Sequence, residues 1–306
     1  MTSSAATAAP AHEPAPPRWK AWWLAARPKT LAASVGPVFL GSALAYRRGS
    51  FDARALLAAL LSAVAIQIGT NLANDYFDHR KGADQPDRLG PARAAAKGWL
   101  SPWSIALGAA LSFAFAAVSG AFLVALGGWP IAAIGLSGIL AGIAYTGGPF
   151  PLAYLGLGEP FVFLYFGLFA VVGTVLVHGA PAGPEAYVAG AALGALACAI
   201  LDVNNLRDHV QDRRAKKRTL VVRFGPGFGR AEYVACVAGA YLLAAGSAAA
   251  GAAPRGFWLA LATLPWAIRR TRDVLKLDGA ALNPSLGQTA QLGLLFSLAL
   301  GAGALL

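Results

Sequence analysis

A chain of 306 residues that is 57% hydrophobic and only 13% charged, with a mean hydropathy of +0.56, is not composed like a soluble domain, where about 25% of residues carry charge. Its 25 Lys and Arg outnumber 14 Asp and Glu for a net charge of +11. The charges interrupt long apolar runs instead of forming a water-exposed basic face, which excludes a nucleic-acid binder. The 36 glycines follow no triplet repeat, and Cys198 and Cys236 both sit inside apolar runs, so neither a collagen nor a disulfide scaffold is indicated. What remains is a polytopic membrane protein.

Residues 1–17 are mostly Ala, Pro, Ser and Thr and read as a disordered tail, with residues 18–306 forming a single transmembrane domain. No basic segment leads into a short apolar stretch with a cleavage site, so the first apolar run is expected to be retained. Nine candidate spans follow, at 28–46, 53–73, 102–124, 127–146, 157–177, 185–204, 231–251, 256–272 and 285–305. About 20 apolar residues are needed to cross about 30 Å of hydrocarbon, and helices satisfy their own backbone groups there. The ten-residue alternation of a membrane β-barrel is absent. The expected fold is therefore all-α, a polytopic bundle of nine transmembrane helices. The eighth span is short and runs into Arg269, Arg270 and Arg272, and the second carries Gln67, Thr70 and Asn71 near one end.

Charge sets the orientation. With the N-terminus in the cytoplasm, 21 of the 25 Lys and Arg fall on the cytoplasmic side, leaving Arg47, Arg48, Arg54 and Arg255 opposite, as the positive-inside rule requires. All eight Trp lie near span ends, where an aromatic belt belongs.

Two acidic segments stand out. The first runs from Asn71 through Asn74, Asp75, Asp78, His79, Arg80 and Lys81 to Asp84, Asp87 and Arg88; the second runs from Asp202 through Asn204, Asn205, Arg207, Asp208 and His209 to Asp212. They hold seven of the 14 acidic residues. If the second span stays helical to Asp78, then Asn71, Asp75 and Asp78 share a face; Asp202, Asn205, Asp208 and Asp212 share another. Clustered carboxylates repel unless a cation sits among them. Oxygen-only donors suit Mg²⁺. The neighbouring bases Arg80, Lys81, Arg88, Lys97, Arg207, Lys216, Lys217 and Arg223 suit the remaining charge of a polyphosphate. The competing reading is loop solubility and pairing with lipid headgroups. His79 and His209 lack the partners of a zinc site, no P-loop string occurs, and Gly225, Gly227 and Gly229 read as a loop.

These segments resemble the UbiA superfamily of membrane prenyltransferases. The likeness rests on Arg27-Pro28-Lys29-Thr30-Leu31, on Asn74-Asp75-Tyr76-x-Asp78 with Gly82 and Asp84, and on Tyr145-Thr146-Gly147-Gly148-Pro149. It continues through Pro151-Leu152-Ala153-Tyr154, Gly156-Leu157-Gly158-Glu159, and Asn204-Asn205-x-Arg207-Asp208-x-x-x-Asp212 with Lys217-x-Thr219-Leu220 and Arg223. The first and the glycine-rich segments point to the branch acting on 1,4-dihydroxy-2-naphthoate. Lys216 departs from the pattern, which has glycine there.

The resemblance implies helices around a central cavity open to membrane lipid, in the bacterial cytoplasmic (inner) membrane. It implies Mg²⁺ held by Asp75, Asp78 and Asp84 on one side and by Asp208 and Asp212 on the other, stabilising the departing diphosphate of a polyprenyl diphosphate. Asn74, Asn205 and Asp202 would orient metal or water. Lys81, Arg88, Arg207 and Lys217 would contact phosphate together with Asn74 and Asn205. The small aromatic acceptor would lose CO₂ on prenylation, giving a demethylmenaquinol in menaquinone biosynthesis. Arg27 and Lys29 are candidates for its carboxylate, or are positive-inside anchors. Tyr145 and Tyr154 would line its site, or simply pack. Glu159 would take the acceptor's hydroxyl proton or orient Lys29. The rivals are prenylation of another acceptor, such as 4-hydroxybenzoate or homogentisate, and a transporter, which would place ionisable groups nearer the midplane.

Overall fold

The computed structural model describes residues 15–83 and 88–306. Most of the expected N-terminal tail, and the metal candidate Asp84, lie outside the described residues. Every regular element among them is helical.

A short helix α1 (Arg18–Ala26) lies ahead of α2 (Pro28–Arg47). The chain breaks between them at Arg27, whose φ of 54° is left-handed, and Pro28 restarts the helix at its first position. Asp52 caps α3 (Ala53–Arg80), its Oδ1 accepting from the Arg54 N–H at 2.8 Å. This helix runs past Asp78, so the expected one-face spacing of its acidic residues holds. Ser101 caps α4 (Pro102–Gly127), and α5 (Trp129–Ala144) follows across Gly128. The short α6 (Leu152–Leu155) leads into α7 (Gly158–Phe163), which widens to a π turn at Leu164–Leu168 and continues as α8 (Phe169–Val177). Then come α9 (Pro184–Arg214), α10 (Leu220–Phe224) and α11 (Pro226–Ala249). A 3₁₀ segment (Arg255–Thr263) precedes α12 (Leu264–Lys276), and another (Gly279–Leu282) precedes α13 (Asn283–Leu305).

Six segments are long and apolar enough to cross a membrane: Ala53–Arg80, Pro102–Gly127, Gly158–Val177, Pro184–Arg214, Pro226–Ala249 and Gly279–Leu305. The chain is thus an all-α, polytopic membrane-helix bundle. The expected spans at 28–46, 127–146 and 256–272 fall outside this set. α2 carries Lys29 and Arg47 at its ends, α5 has only 16 residues, and the eighth segment changes from 3₁₀ to α geometry partway.

The central helix is α9, with 67% of its apolar stretch buried, against 22% for α4. Leu193, Leu196, Ala199, Val203 and Leu206 pack with Tyr233, Val237 and Ala240 of α11 in one buried cluster. By contrast, Leu107, Leu111, Phe115, Val118 and Phe122 form an exposed stripe on α4. In water such a stripe would be an aggregation hazard; in a bilayer it is the lipid-facing surface. The consequence for function is that α3 and α9 bring their acidic C-terminal turns together at one end of the bundle.

Candidate active site

A cleft enclosing about 850 Å³, counting its open mouth, lies between those two helix ends. Carboxylates at a helix C-terminus face the negative end of the helix dipole and require cationic partners. Lys217, in the loop after α9, supplies one: its Nζ donates to Asp78 Oδ2 at 3.2 Å and lies 4.0 Å from Asp212 Oδ1. A single ammonium therefore joins α3 to α9. Arg93 supplies the second, donating from Nη2 to the same Asp78 oxygen at 2.8 Å. The Tyr154 hydroxyl donates to Asp78 Oδ1 at 3.1 Å, so the carboxylate, 1% exposed, is held from three directions.

Tyr154 has a second task. Lys81 Nζ stands 4.5 Å and Lys217 Nζ 5.1 Å from its ring centroid. The ring face holds two ammonium groups beside the cleft that would otherwise repel each other. Lys81 also donates to the Thr146 carbonyl at 2.6 Å, and the Thr146 hydroxyl donates to Asn74 Oδ1 at 2.9 Å. Partial burial, and then the charge of Lys217, hold the Lys81 pKa below its ordinary value against the pull of Asp78. Sequence reasoning placed Tyr154 with the acceptor; the structure places it with the charged groups.

The remaining expected residues divide. Asp78, Asp208, Asp212, Asn74, Asn205, Arg88, Lys217, Arg27, Tyr145 and Glu159 all line the cleft. Asp75 does not. Its carboxylate accepts from the backbone N–H groups of Ala94 and Ala95, at 2.9 and 3.4 Å, and so anchors the loop that carries Arg93. Arg207 is 2% exposed and also off the cleft wall: it grips Asp208 through Nε and Nη2, at 2.8 and 2.5 Å, while donating to Asn204 and Asn283. It thereby orients a cleft carboxylate from behind the wall. Lys29 is exposed at the start of α2 and does not line the cleft. Asn205 Nδ2 donates to Glu159 Oε1 at 3.1 Å, which ties α9 to the first turn of α7.

Arg27 is the most telling basic residue. It occupies the left-handed region without being glycine, and its Nη2 is buried with no hydrogen-bond partner. Burial, then repulsion from Arg93 and Arg88, lowers its pKa to about 9. A strained backbone that aims an unsatisfied cation into a cleft is poised for an anion. Arg93 escaped sequence reasoning because nothing local marks it among five bases of its loop; the only signal was its presence in an otherwise small-residue stretch, Pro91-Ala92-Arg93-Ala94-Ala95.

The donor set facing the cleft includes carboxylate and amide oxygens of Asp78, Asp208, Asp212, Glu159, Asn74, Asn204 and Asn205, and among the described residues no imidazole or thiolate lines it. That chemistry fits Mg²⁺. The bases around it fit the phosphate oxygens that such an ion leaves uncompensated.

Known proteins share this fold and sequence pattern. A model of the UbiA prenyltransferase family matches residues 34–302. The chain is 35% identical over 288 residues to the 1,4-dihydroxy-2-naphthoate octaprenyltransferase of Escherichia coli (strain K12), covering 92% of this chain and 94% of that one. It is 38% identical over 248 residues to the Mycobacterium tuberculosis protein of the same name, covering 81% and 80%. A solved UbiA homolog from Archaeoglobus fulgidus, bound to DMAPP and Mg²⁺, shares the fold with a TM-score of 0.66 over 92% of this chain and 99% of its own, at 15% identity. The family match spans both acidic helix ends and every lining residue of the cleft except Arg27, and this chain belongs to the UbiA prenyltransferase family.

Proposed function

We propose that the protein transfers a polyprenyl group from polyprenyl diphosphate to 1,4-dihydroxy-2-naphthoate, with Mg²⁺ and loss of CO₂, giving a demethylmenaquinol. The observation that carries the reading is the meeting of Asp78 and Asp212 at Lys217, where an oxygen-only donor set stands among bases. Relatives named for the naphthoate reaction, alike over most of this chain, support the acceptor.

Asp78, Asp208 and Asp212 would hold Mg²⁺, with Asn74 and Asn205 completing the oxygen lining. When bound, the ion supplies Lewis-acid stabilisation to the leaving diphosphate. Lys217, Lys81, Arg88 and Arg93 balance the phosphate charge, and Tyr154 keeps the two lysines side by side. Arg27 receives an anionic group, and the acceptor carboxylate fits its unsatisfied Nη2. Glu159, fixed by Asn205 at the cleft wall, is placed to hold the acceptor's hydroxyl proton. Tyr145 offers a ring at the same wall. Asp75 and Arg207 act as positioning residues.

The same reading places the chain in the bacterial inner membrane with a cytoplasmic N-terminus. It counts α2, α5 and the Arg255–Lys276 region with the six longer spans, for nine crossings. Purified protein, Mg²⁺ and polyprenyl diphosphate are to be mixed with each acceptor while product and labelled CO₂ are followed. Prenylated naphthoate with one CO₂ per prenyl group is the expected result. Preferential conversion of 4-hydroxybenzoate without CO₂ would overturn the acceptor and leave the prenyltransferase reading standing.

A further inference from the structure

Behind the cleft wall, three carboxylates from three helices converge. Glu159 begins α7, Asp202 lies within α9 and Glu232 sits in the first turns of α11, and one oxygen from each falls within 4.8 Å of the other two. Glu159 lines the cleft, whereas Asp202 and Glu232 do not. Asp202 is 0% exposed, Glu159 7%, and Glu232 is half-buried.

A buried carboxylate is ordinarily paired with a base or accepts several hydrogen bonds. These do neither. No amide, hydroxyl or basic group donates to either oxygen of Asp202, to Oε2 of Glu159 or to Oε2 of Glu232, all of them buried, and Asp202 meets only the Glu232 carboxyl at hydrogen-bonding distance. Among the described residues, none of the three takes part in an ion pair. The nearby thiol of Cys198 donates to the Glu159 backbone carbonyl and not to its carboxylate. The Asn205 amide reaches only Glu159 Oε1.

A proton shared between two carboxyl groups bridges two oxygens and leaves the others bare. One cation at the point of convergence collects an oxygen from each of the three helices and needs no donor. The donors are all hard carboxylate oxygens, the set that divalent cations such as Mg²⁺ and Ca²⁺ take. We propose that Glu159, Asp202 and Glu232 form a second cation site, behind the cleft wall and sharing only Glu159 with the cleft, that binds one divalent ion and ties α7, α9 and α11 together. The site goes beyond prenyl transfer and stands or falls without it.

The test uses full-length protein stripped with EDTA in detergent, with no prenyl donor or acceptor present. Mn²⁺, a hard divalent probe with an EPR signal, is titrated into an Asp208→Asn/Asp212→Asn background that lacks two cleft carboxylates. The expected result is one Mn²⁺ per chain, displaced by Mg²⁺ or Ca²⁺ and accompanied by a rise in Tm. Adding Asp202→Asn should weaken binding at least tenfold and abolish the rise in Tm. If that variant fails to fold, Glu232→Gln, at a half-buried position, is read in the same way. Should the background variant fail, the parent is compared directly with Asp202→Asn, and a loss of one ion per chain is expected. Binding unchanged by Asp202→Asn would overturn the site. So would an Asp202→Asn chain more stable than its parent with no cation response, because the cluster would then hold protons instead.

Discussion

Asp78 and Asp212 look interchangeable by sequence, since each closes an acidic helix end, yet their surroundings differ. Asp78 accepts from Lys217, Arg93 and Tyr154, whereas Asp212 approaches Lys217 only at 4.0 Å. Both Asp78→Asn and Asp212→Asn should abolish turnover, because each removes charge that Mg²⁺ needs. Only Asp78→Asn should also destabilise the chain strongly. It leaves Arg93 and Lys217 without their shared counter-ion, and breaking a buried pair costs about 3–5 kcal/mol. Thermal unfolding in EDTA separates the two, and equal Tm losses would contradict the geometry. Lys216 invites the opposite change. Its φ of 59° puts a non-glycine residue in the left-handed region just past the end of α9, where related sequences are expected to have glycine. Lys216→Gly should stabilise by about 1 kcal/mol, as the left-handed conformation costs a Cβ-bearing residue roughly 1–2 kcal/mol. An unchanged or lowered Tm would show that the lysine side chain contributes more than its backbone strain costs.

At the scale of elements, the decisive packing is glycine against glycine. A Cβ on Gly167, in the π turn, would lie 2.4 Å from the Gly190 carbonyl oxygen and 2.5 Å from Gly194 Cα, both on α9. Small residues four apart let two membrane helices approach backbone to backbone. Nothing on either helix can rotate away, so Gly167→Ala must push α9 outward. We expect a loss of about 1–3 kcal/mol, the cost of overpacking a tight contact. Turnover should fall as well, because the same pair of segments carries the Glu159–Asn205 contact. Gly135→Ala on α5, which meets open space, is the matched control and should lower neither Tm nor turnover, since Ala is the better helix former. If Gly167→Ala were equally silent, the close crossing would not be tight. The helical reach of α3 to Asp78 was legible from a four- and three-residue spacing. The π turn was not, because its Gly167 meets Gly190 and Gly194, far along the chain; Pro28 marked the boundary at Arg27 locally, though not the left-handed φ there.

For the whole molecule, orientation is the claim most open to test. Lys81 and Lys217 flank one tyrosine ring, so both must face the same compartment. With 21 of 25 bases assigned to the cytoplasmic side, cysteines placed at Lys81 and Lys217 in a cysteine-free background should label only from the cytoplasm. Labelling of both from outside would invert the topology; labelling from opposite sides would break the fold. Composition placed the chain in a bilayer because about 30 Å of hydrocarbon must be crossed by apolar residues whatever their partners. Its helical faces were equally readable, since the α-helical repeat is a local property.

What the sequence determined by itself was therefore the class of protein, the long helices and the two acidic ends. Which acidic residues face a common space was decided only by the tertiary structure. Asp75 shares a helix face with Asp78 but is claimed by the backbone of Ala94 and Ala95. Arg93 reaches Asp78 across 15 positions, Lys217 across 139, and Asn205 reaches Glu159 across 46. Asp202 joins Glu159 and Glu232 behind the cleft although spacing groups it with Asp208 and Asp212. A helical repeat states which residues point the same way along one helix. It cannot state which charge on another segment will meet them, because that depends on how the helices cross.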